Sequence, residues 1–320
     1  MATHALPEID AQYRELREGA GLLERSERAL LEVHGPDAAE FLQGQVTNDV
    51  TALAPGQGCY AAMLNPKGRI VAAMRVLCTG PERFLLDPEG TAHEAVLRDL
   101  RMYKIGRRAE VADASPERSL VSLVGPRSED VVAATIGASP ASDEHSLVES
   151  QGVIAVRSDT GIDLIADRDT VPELLERLFA AGAQPVSFEA AEIVRVETGR
   201  PRHGVDMSED NLPAEAGIVE RAVSFTKGCY VGQEPVARMH HKGHPNRHLR
   251  GLRLAEPTEA GVALVAEGKE VGRVSSFALS PALGPIALAL VRREVEPGQD
   301  VSIGEGGAAA TVVELPFASS

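Results

Sequence analysis

ALLEVHGPDAAEFLQG (29–44) and SLVSLVGPRSEDVVAATIG (119–137) share one pattern. Each runs from an apolar strand through Gly-Pro into an acid-bearing helix start, and each helix is closed by Gly. Pro near a first helical turn and Gly after the last are the expected punctuation. The pair reads in two ways: as a common strand–turn–helix used twice, or as two related α+β units.

Working outward, TVPELLERLFAAG (170–182) places Val171, Leu174, Leu175, Leu178 and Phe179 on one buried stripe. Thr170 is the candidate cap and Gly182 the terminator. AHEAVLRDLRMYKIG (92–106) is a second amphipathic helix. SFEAAEIVRVETG (187–199) is a third, capped by Ser187 and ended by Gly199. RIVAAMRVLC (69–78), RFLLD (83–87), VIAVRS (153–158) and GIDLIAD (161–167) read as strands. Strands and helices alternate without the strict rhythm of a doubly wound sheet, so the fold class is α+β. After about residue 245 the chain becomes short strands split by Gly and Pro, which reads as a small all-β unit, a barrel. The expected division is an α+β region over 1–243 and a β-barrel over 244–320. Subdomain boundaries inside the first region stay open.

The chain has 320 residues, 43% hydrophobic and 25% charged, ordinary for a globular protein of two or three structural units. Aromatics are 3% with no Trp, so the core rests on Leu, Val, Ile and Ala. A net charge of −15 argues against general nucleic-acid or membrane-surface binding, because phosphate backbones recruit Lys and Arg. No apolar run approaches a spanning helix. The polar, acid-bearing start MATHALPEIDAQYRELREGAG resembles neither a signal nor a transit peptide. A cytoplasmic location is the default expectation. Cys59, Cys78 and Cys229 are scattered and odd in number. They form no disulfide framework and no CxxC, and three thiols make a poor holder for a cluster that usually takes four.

KGCYVGQE (227–234) stands at the junction between the α+β body and the β unit, where ligand clefts tend to form. Cys229 lies beside Lys227, with Arg238, His240, His241 and Lys242 following. A neighbouring cation lowers a thiol pKa, so Cys229 reads either as a reactive thiolate or as a small hydrophobe in a tight turn. Cys59 and Cys78 sit in strand-like apolar settings and read as core. RMHHKGHPNRHLR (238–250) is a basic stretch in an acidic chain. Gly243 and Pro245 deny it a continuous helix, so no fixed histidine face for a metal is expected. It reads as an attractor for an anionic ligand tail or as a solvated loop.

Glu197, in RVETGRP, falls in the last turn of its helix, where the macrodipole disfavours an acid. A locally unfavourable choice often marks function. Such a carboxylate accepts paired N–H bonds from a guanidine-like edge, either an Arg (Arg195, Arg200 and Arg202 are near in sequence) or the amino-pyrimidinone edge of a pterin. P-loop, dinucleotide, serine-hydrolase and zincin motifs are missing.

Taken in order, LQGQVTNDV (42–50), MLNPKGRI (63–70), RVETGRPRHGVDM (195–207), LPAEAG (212–217) and KGCYVGQEPVAR (227–238) resemble the YgfZ-type folate-binding proteins. These are relatives of the glycine cleavage system T protein, the aminomethyltransferase. The resemblance spans roughly residues 20–300, and KGCYxGQE is its most specific part. It implies a T-protein-like fold of two interlocked ferredoxin-like units plus a C-terminal small β-barrel, around a central folate channel. It implies tetrahydrofolate, or a one-carbon derivative, as ligand. Glu197 matches the family carboxylate that reads the pterin edge, and Lys227, Tyr230, Arg238 and Asn65 are the further expected folate-binding residues. Cys229 is the family cysteine, in a protein that supports assembly or repair of iron–sulfur clusters in client enzymes such as tRNA-modifying radical enzymes. The partners so implied are folate and client iron–sulfur enzymes or assembly proteins. The alternative is a folate-dependent aminomethyltransferase or demethylase.

One departure bears on that alternative. The T protein reads G-G-I-L-D-D after its Asn-containing turn, where an aspartate assists transfer near the folate N5. Here Gly68, Arg69, Ile70, Val71, Ala72 and Ala73 occupy those places. Alanine supports no proton transfer, which counts against the aminomethyl-transfer alternative and leaves the expectation of a folate cavity in place.

Overall fold

The computed structural model describes residues 6–317. In chain order the elements are α1 (Ile9–Glu18), β1 (Gly21–Glu24), β2 (Leu31–His34), α2 (Ala38–Gln45), β3 (Gln57–Leu64), β4 (Ile70–Gly80), β5 (Arg83–Leu86), α3 (His93–Tyr103), β6 (Glu110–Asp113), β7 (Arg118–Val124) and α4 (Ser128–Ile136). There follow β8 (Leu147–Ser150), β9 (Val153–Arg157), β10 (Gly161–Asp167), α5 (Val171–Ala180), β11 (Gln184–Pro185), α6 (Phe188–Glu197), α7 (Val219–Ala222) and α8 (Gln233–Lys242). The last stretch is all strand: β12 (Arg247–Leu254), β13 (Ala263–Ala266), β14 (Lys269–Ser280), β15 (Gly284–Arg292), β16 (Asp300–Ile303) and β17 (Ala309–Val313). Two compact units form. The first holds the residues up to Leu64, Val71–Ala191 and Ala222–Val231; the second holds Asn65–Ile70, Glu192–Arg221 and the chain from Gly232 onward.

The first unit contains two sheets, ordered β3-β4-β5-β2-β6 and β11-β1-β7-β10-β9-β8. Phe41 and Leu42 of α2 and Val96 and Leu100 of α3 cover one face of the first sheet, against Leu31, Val33, Met74 and Val76. Val131 and Ile136 of α4 and Leu174 and Leu178 of α5 cover one face of the second, against Leu22, Leu123, Ile162 and Leu164. The remaining faces share a core of Leu77 and Leu85 with Leu120, Ile154, Val156 and Ile165. Strands of the inner layers are therefore apolar on both sides, which is why β4 reads as a continuous apolar run.

One charge interrupts that run. Arg75 of β4 is buried and sends its guanidinium to Asp87 (Nε to Oδ2, 2.7 Å) and to Asp163 of β10 (2.6 Å). Arg28 joins at Asp87 (3.1 Å) and Glu89 (2.7 Å). Burial pushes Asp87 upward, but Arg75 and Arg28 outweigh it and hold its pKa below the ordinary carboxylate value. Burial alone also lowers both arginine pKa values, yet their carboxylate partners raise them on balance. The network bridges the two sheets, and every charge in it has an opposite partner, the condition under which buried ions are tolerated.

The twin Gly-Pro turns have matching geometry. Gly35 and Gly125 both have φ near +122°. A Cβ would stand 2.4 Å from the Arg108 carbonyl oxygen at Gly35 and 2.5 Å from that of Gly19 at Gly125, so no side chain fits either place. The helices that follow pack on the outer faces of their respective sheets. Only the second ends as expected, at Gly137 in the left-handed region. Gly44 lies within α2, which runs to Gln45 and gives way to extended Val46. Thr170 does not cap α5 with its side chain. A short 3₁₀ turn over Arg168–Thr170 precedes the helix, and the Thr170 hydroxyl donates back to the Asp167 carbonyl (2.8 Å). Ser187 does accept from the Ala190 N–H (3.2 Å).

In the second unit the strands close into a barrel, β12-β15-β14-β13-β16-β17. β17 returns to pair with β12, Gly251 opposite Val313. Leu252, Leu264, Val274, Ala287, Ala289, Val301 and Val312 fill it. The expected α+β body and C-terminal β-barrel are the observed ones. The basic stretch is not all loop: residues 238–242 form the end of α8, and Gly243 is its C-cap.

Candidate functional site

In the first unit, two segments far apart in sequence meet. α2 ends at Gln45, and the polar run after it, VTNDV, folds on side-chain-to-backbone bonds. Thr47 Oγ1 accepts from the Ala62 N–H (2.9 Å) and donates to the Ala222 carbonyl (2.5 Å). Asn48 donates to the Tyr60 carbonyl (2.8 Å). Gln43 donates to Asp49 (3.0 Å) and accepts from the Val50 N–H (2.8 Å). Such residues compete with regular structure by offering local partners, and so stop the helix.

Lys227 enters this loop from the other segment. Its Nζ donates to the carbonyls of Gln43 (2.6 Å), Val46 (2.6 Å) and Asn48 (2.9 Å). An ammonium has three N–H groups, so all are engaged with backbone. The Tyr230 ring lies 5.0 Å from Nζ, a cation–π contact. Both side chains are buried. Burial pushes the Lys227 pKa down to about 8, partly countered by Asp49 and Cys59. Burial also pushes Tyr230 up to about 12. Hydrogen bonds led by Thr51, with Gln43 and the Ala52 N–H, hold Asp49 below its ordinary value. Between its two anchored neighbours, Cys229 is exposed to solvent. Cys59, on β3, packs against the core and is pushed up to about 12 by burial, so its thiol stays protonated. Lys227 therefore acts as a pin for the 43–48 loop, and the acidic groups its charge meets are Asp49 and Cys59.

In the second unit, Glu197 is the last residue of α6 and is 7% exposed. The Ser280 hydroxyl donates to its Oε1. Ser280 closes β14 and itself accepts from the Ala282 and Leu283 N–H groups (3.1 and 2.9 Å), so its hydroxyl is oriented by the hairpin. Arg195 turns to Glu192 (2.9 Å) and Asp206 (2.7 Å), and Arg202 also goes to Glu192 (3.0 Å). Gly199 has φ +69°, and a Cβ there would sit 2.8 Å from the Leu315 Cβ.

Asn65 shapes a turn. Its Oδ1 accepts from the N–H groups of Lys67 (2.9 Å) and Arg69 (3.1 Å), with Gly68 at φ +75°. The turn presents Arg69 to the Asp210 carbonyl (2.5 Å) and to Glu215 (3.3 Å). Arg238, on α8, is exposed. Ala72 lies in the core under the first sheet's helices, where an added carboxylate would be buried, and Ala73 is buried as well. Sequence reading missed Gln43, Thr47, Asp49 and Ser280. The density of Asn, Asp, Thr and Gln after α2 was the available signal for the first three. Ser280 had none, since its partner is distant in sequence. Among the described residues no three His, Cys, Asp or Glu side chains form a metal-holding group, and no helix is long and apolar enough to cross a membrane.

Comparison with known proteins gives consistent matches. Residues 2–227 match the GCVT N-terminal domain, and residues 247–318 match the glycine cleavage T-protein C-terminal barrel domain. The chain is 30% identical to an aminomethyltransferase of Rubrobacter xylanophilus, over 97% of this chain and 86% of that protein. It is 32% identical to an aminomethyltransferase of Frankia alni, over 97% and 89%. The crystal structure of glycine cleavage system aminomethyltransferase T from Bartonella henselae superposes with a TM-score of 0.88 at 25% identity, covering 97% of this chain and 90% of that one.

Proposed function

The chain belongs to the glycine cleavage T-protein family, and on that premise we propose that it binds tetrahydrofolate or a one-carbon derivative and works as a YgfZ-type protein. In that role it supports iron–sulfur assembly or repair in client enzymes, and it acts in the cytoplasm. Family members of the aminomethyltransferase type use folate as one-carbon carrier, and the donor set here suits the group. Glu197 is a buried carboxylate whose Oε1 accepts from Ser280, the acceptor chemistry that the amino-pyrimidinone edge of a pterin calls for. Arg238 is an exposed cation of the kind that attracts an acidic tail. Lys227 and Asn65 serve by holding their segments in shape. When bound, folate supplies the carrier for one-carbon chemistry; the chain's residues position it.

The observation that carries the YgfZ reading is Cys229, an exposed thiol between two buried, anchored residues. A fixed backbone presenting a soft nucleophile suits an exchange with a client. Calorimetric titration with tetrahydrofolate tests the folate part. Glu197→Gln should weaken binding by about 1–3 kcal/mol, the worth of a charged hydrogen-bond partner; no binding to the wild type would sink it. Cys229→Ser should fail to support client iron–sulfur enzymes in cells, and full support would remove the cysteine role.

A second reading, folate-dependent aminomethyl transfer, is favoured by the full-length similarity to aminomethyltransferases. Ala72 and Ala73 stand against it. Turnover of an aminomethyl donor by the purified protein would decide for it.

A further inference from the structure

Two arginines on the outer wall of the barrel are placed against each other. Arg247 of β12 and Arg292 of β15 are direct cross-strand partners in the antiparallel register. Directly opposite side chains have Cβ atoms about 5 Å apart, and like charges there destabilise a sheet. Among the described residues, neither guanidinium has a hydrogen-bond or ion-pair partner, and both are exposed. Both border a groove of about 460 Å³, which Gly272 and the Asn246 segment help to line. Gly272 has no room for a side chain, since a Cβ would stand 2.5 Å from the Leu290 carbonyl oxygen. Arg247 also borders the neighbouring groove along residues 204–211. The acids nearby are engaged elsewhere: Glu270 pairs with Arg273 (2.8 Å), and Glu294 lies nearest Arg293 (3.8 Å).

We propose that the Arg247–Arg292 pair is a phosphate clamp, a site for a small phosphate monoester on the barrel wall. Two adjacent guanidinia bring two positive charges and two planar forks. A phosphate monoester near neutral pH carries nearly two negative charges and three acceptor oxygens, matching both. A carboxylate has one charge and two oxygens, which one fork satisfies. Glu270 and Glu294 on the same groove repel an extended polyanion and accept from hydroxyl or ammonium groups. The ligand is therefore a small phosphorylated polyol or amine rather than a nucleic acid. The site lies wholly within the second unit and does not depend on the folate reading.

The test uses the full chain at low salt with inorganic phosphate and glycerol 3-phosphate as probes, read by calorimetry, and with acetate as the carboxylate arm. Saturable binding in the millimolar range or tighter is expected for both phosphate probes. R247Q and R292Q should each weaken it about tenfold, the loss of a charged hydrogen-bond partner, while R253Q, at the other end of β12 and outside the groove lining, stays within about twofold of wild type. Without phosphate, R247Q and R292Q should melt at or above the wild-type temperature, because each relieves a like-charge pair. That also separates lost binding from lost folding. No saturable phosphate binding by wild type, equal weakening in R253Q, or acetate binding as tightly as phosphate would each overturn the proposal.

Discussion

Replacing Lys227 by Met keeps the length of the side chain and removes only its charge and donors. Three carbonyls then lose their partner, those of Gln43, Val46 and Asn48. The Val46 carbonyl is in a buried contact, so leaving it unsatisfied costs about 1–3 kcal/mol. The other two are partly buried and can rehydrate, costing about 0.5–1.5 kcal/mol each. The cation–π contact with Tyr230 adds about 0.5–2 kcal/mol. Against these stands relief of the buried ammonium's desolvation, visible in its lowered pKa. A net loss of about 3 kcal/mol is expected, within the range for breaking a buried charged network. Urea unfolding at pH 7.5 measures it. The pH dependence gives a second check. The folded pKa of about 8 lies below the unfolded 10.5, so between those values the unfolded chain binds more protons. Stability from Lys227 therefore rises with pH across that window, and the gap between wild type and K227M should widen from pH 8 to 10.5. A mutant as stable as wild type would show that the 43–48 loop does not need this pin.

Further outcomes follow from the other buried groups. Asp206 accepts from Arg195 (2.7 Å), the Arg202 N–H (3.0 Å), Ser275 (2.5 Å) and Ser276 (2.7 Å). Asp206→Ala should cost about 3–5 kcal/mol by stranding buried donors, and an unchanged thermal midpoint would contradict this network. Asp87 has a lowered folded pKa, so its stabilisation is present above the unfolded value of 3.8 and lost as pH falls through the folded one. Acid titration of unfolding should therefore be flatter in Asp87→Asn, once its own loss of stability is subtracted. Cys59 has its folded pKa raised to about 12 from 9.0. Its contribution is full below pH 9.0 and is lost as pH rises toward 12. Cys59→Ala should flatten the alkaline fall in stability; an unchanged slope would show that the thiol ionises freely in the fold.

The α5 stripe, the twin Gly-Pro turns and the barrel strands were legible because they depend on neighbours in sequence. Val171, Leu174 and Leu178 face inward by helical spacing alone, and Gly35 and Gly125 take the same φ because the local turn demands it. Misreadings came where a local signal had a local rival. Thr170 has the right chemistry for a cap, but a 3₁₀ turn uses its hydroxyl first. Gly44 looks like a terminator, but the helix ends only where Gln43 and Asp49 find each other.

Partners far apart in sequence were decided only by tertiary structure. Lys227 reads as a cation beside a cysteine, yet its three N–H groups meet carbonyls more than a hundred residues away. Arg75 reads as a lone charge in an apolar strand until β5 and β10 bring Asp87 and Asp163 to it. Glu197 sits at an unfavourable helix end on local grounds, and only the β14–β15 hairpin supplies Ser280. Periodicity and turn chemistry act over a few residues and are written into the chain. Desolvation and hydrogen bonding of a buried charge depend on whichever groups the fold packs against it.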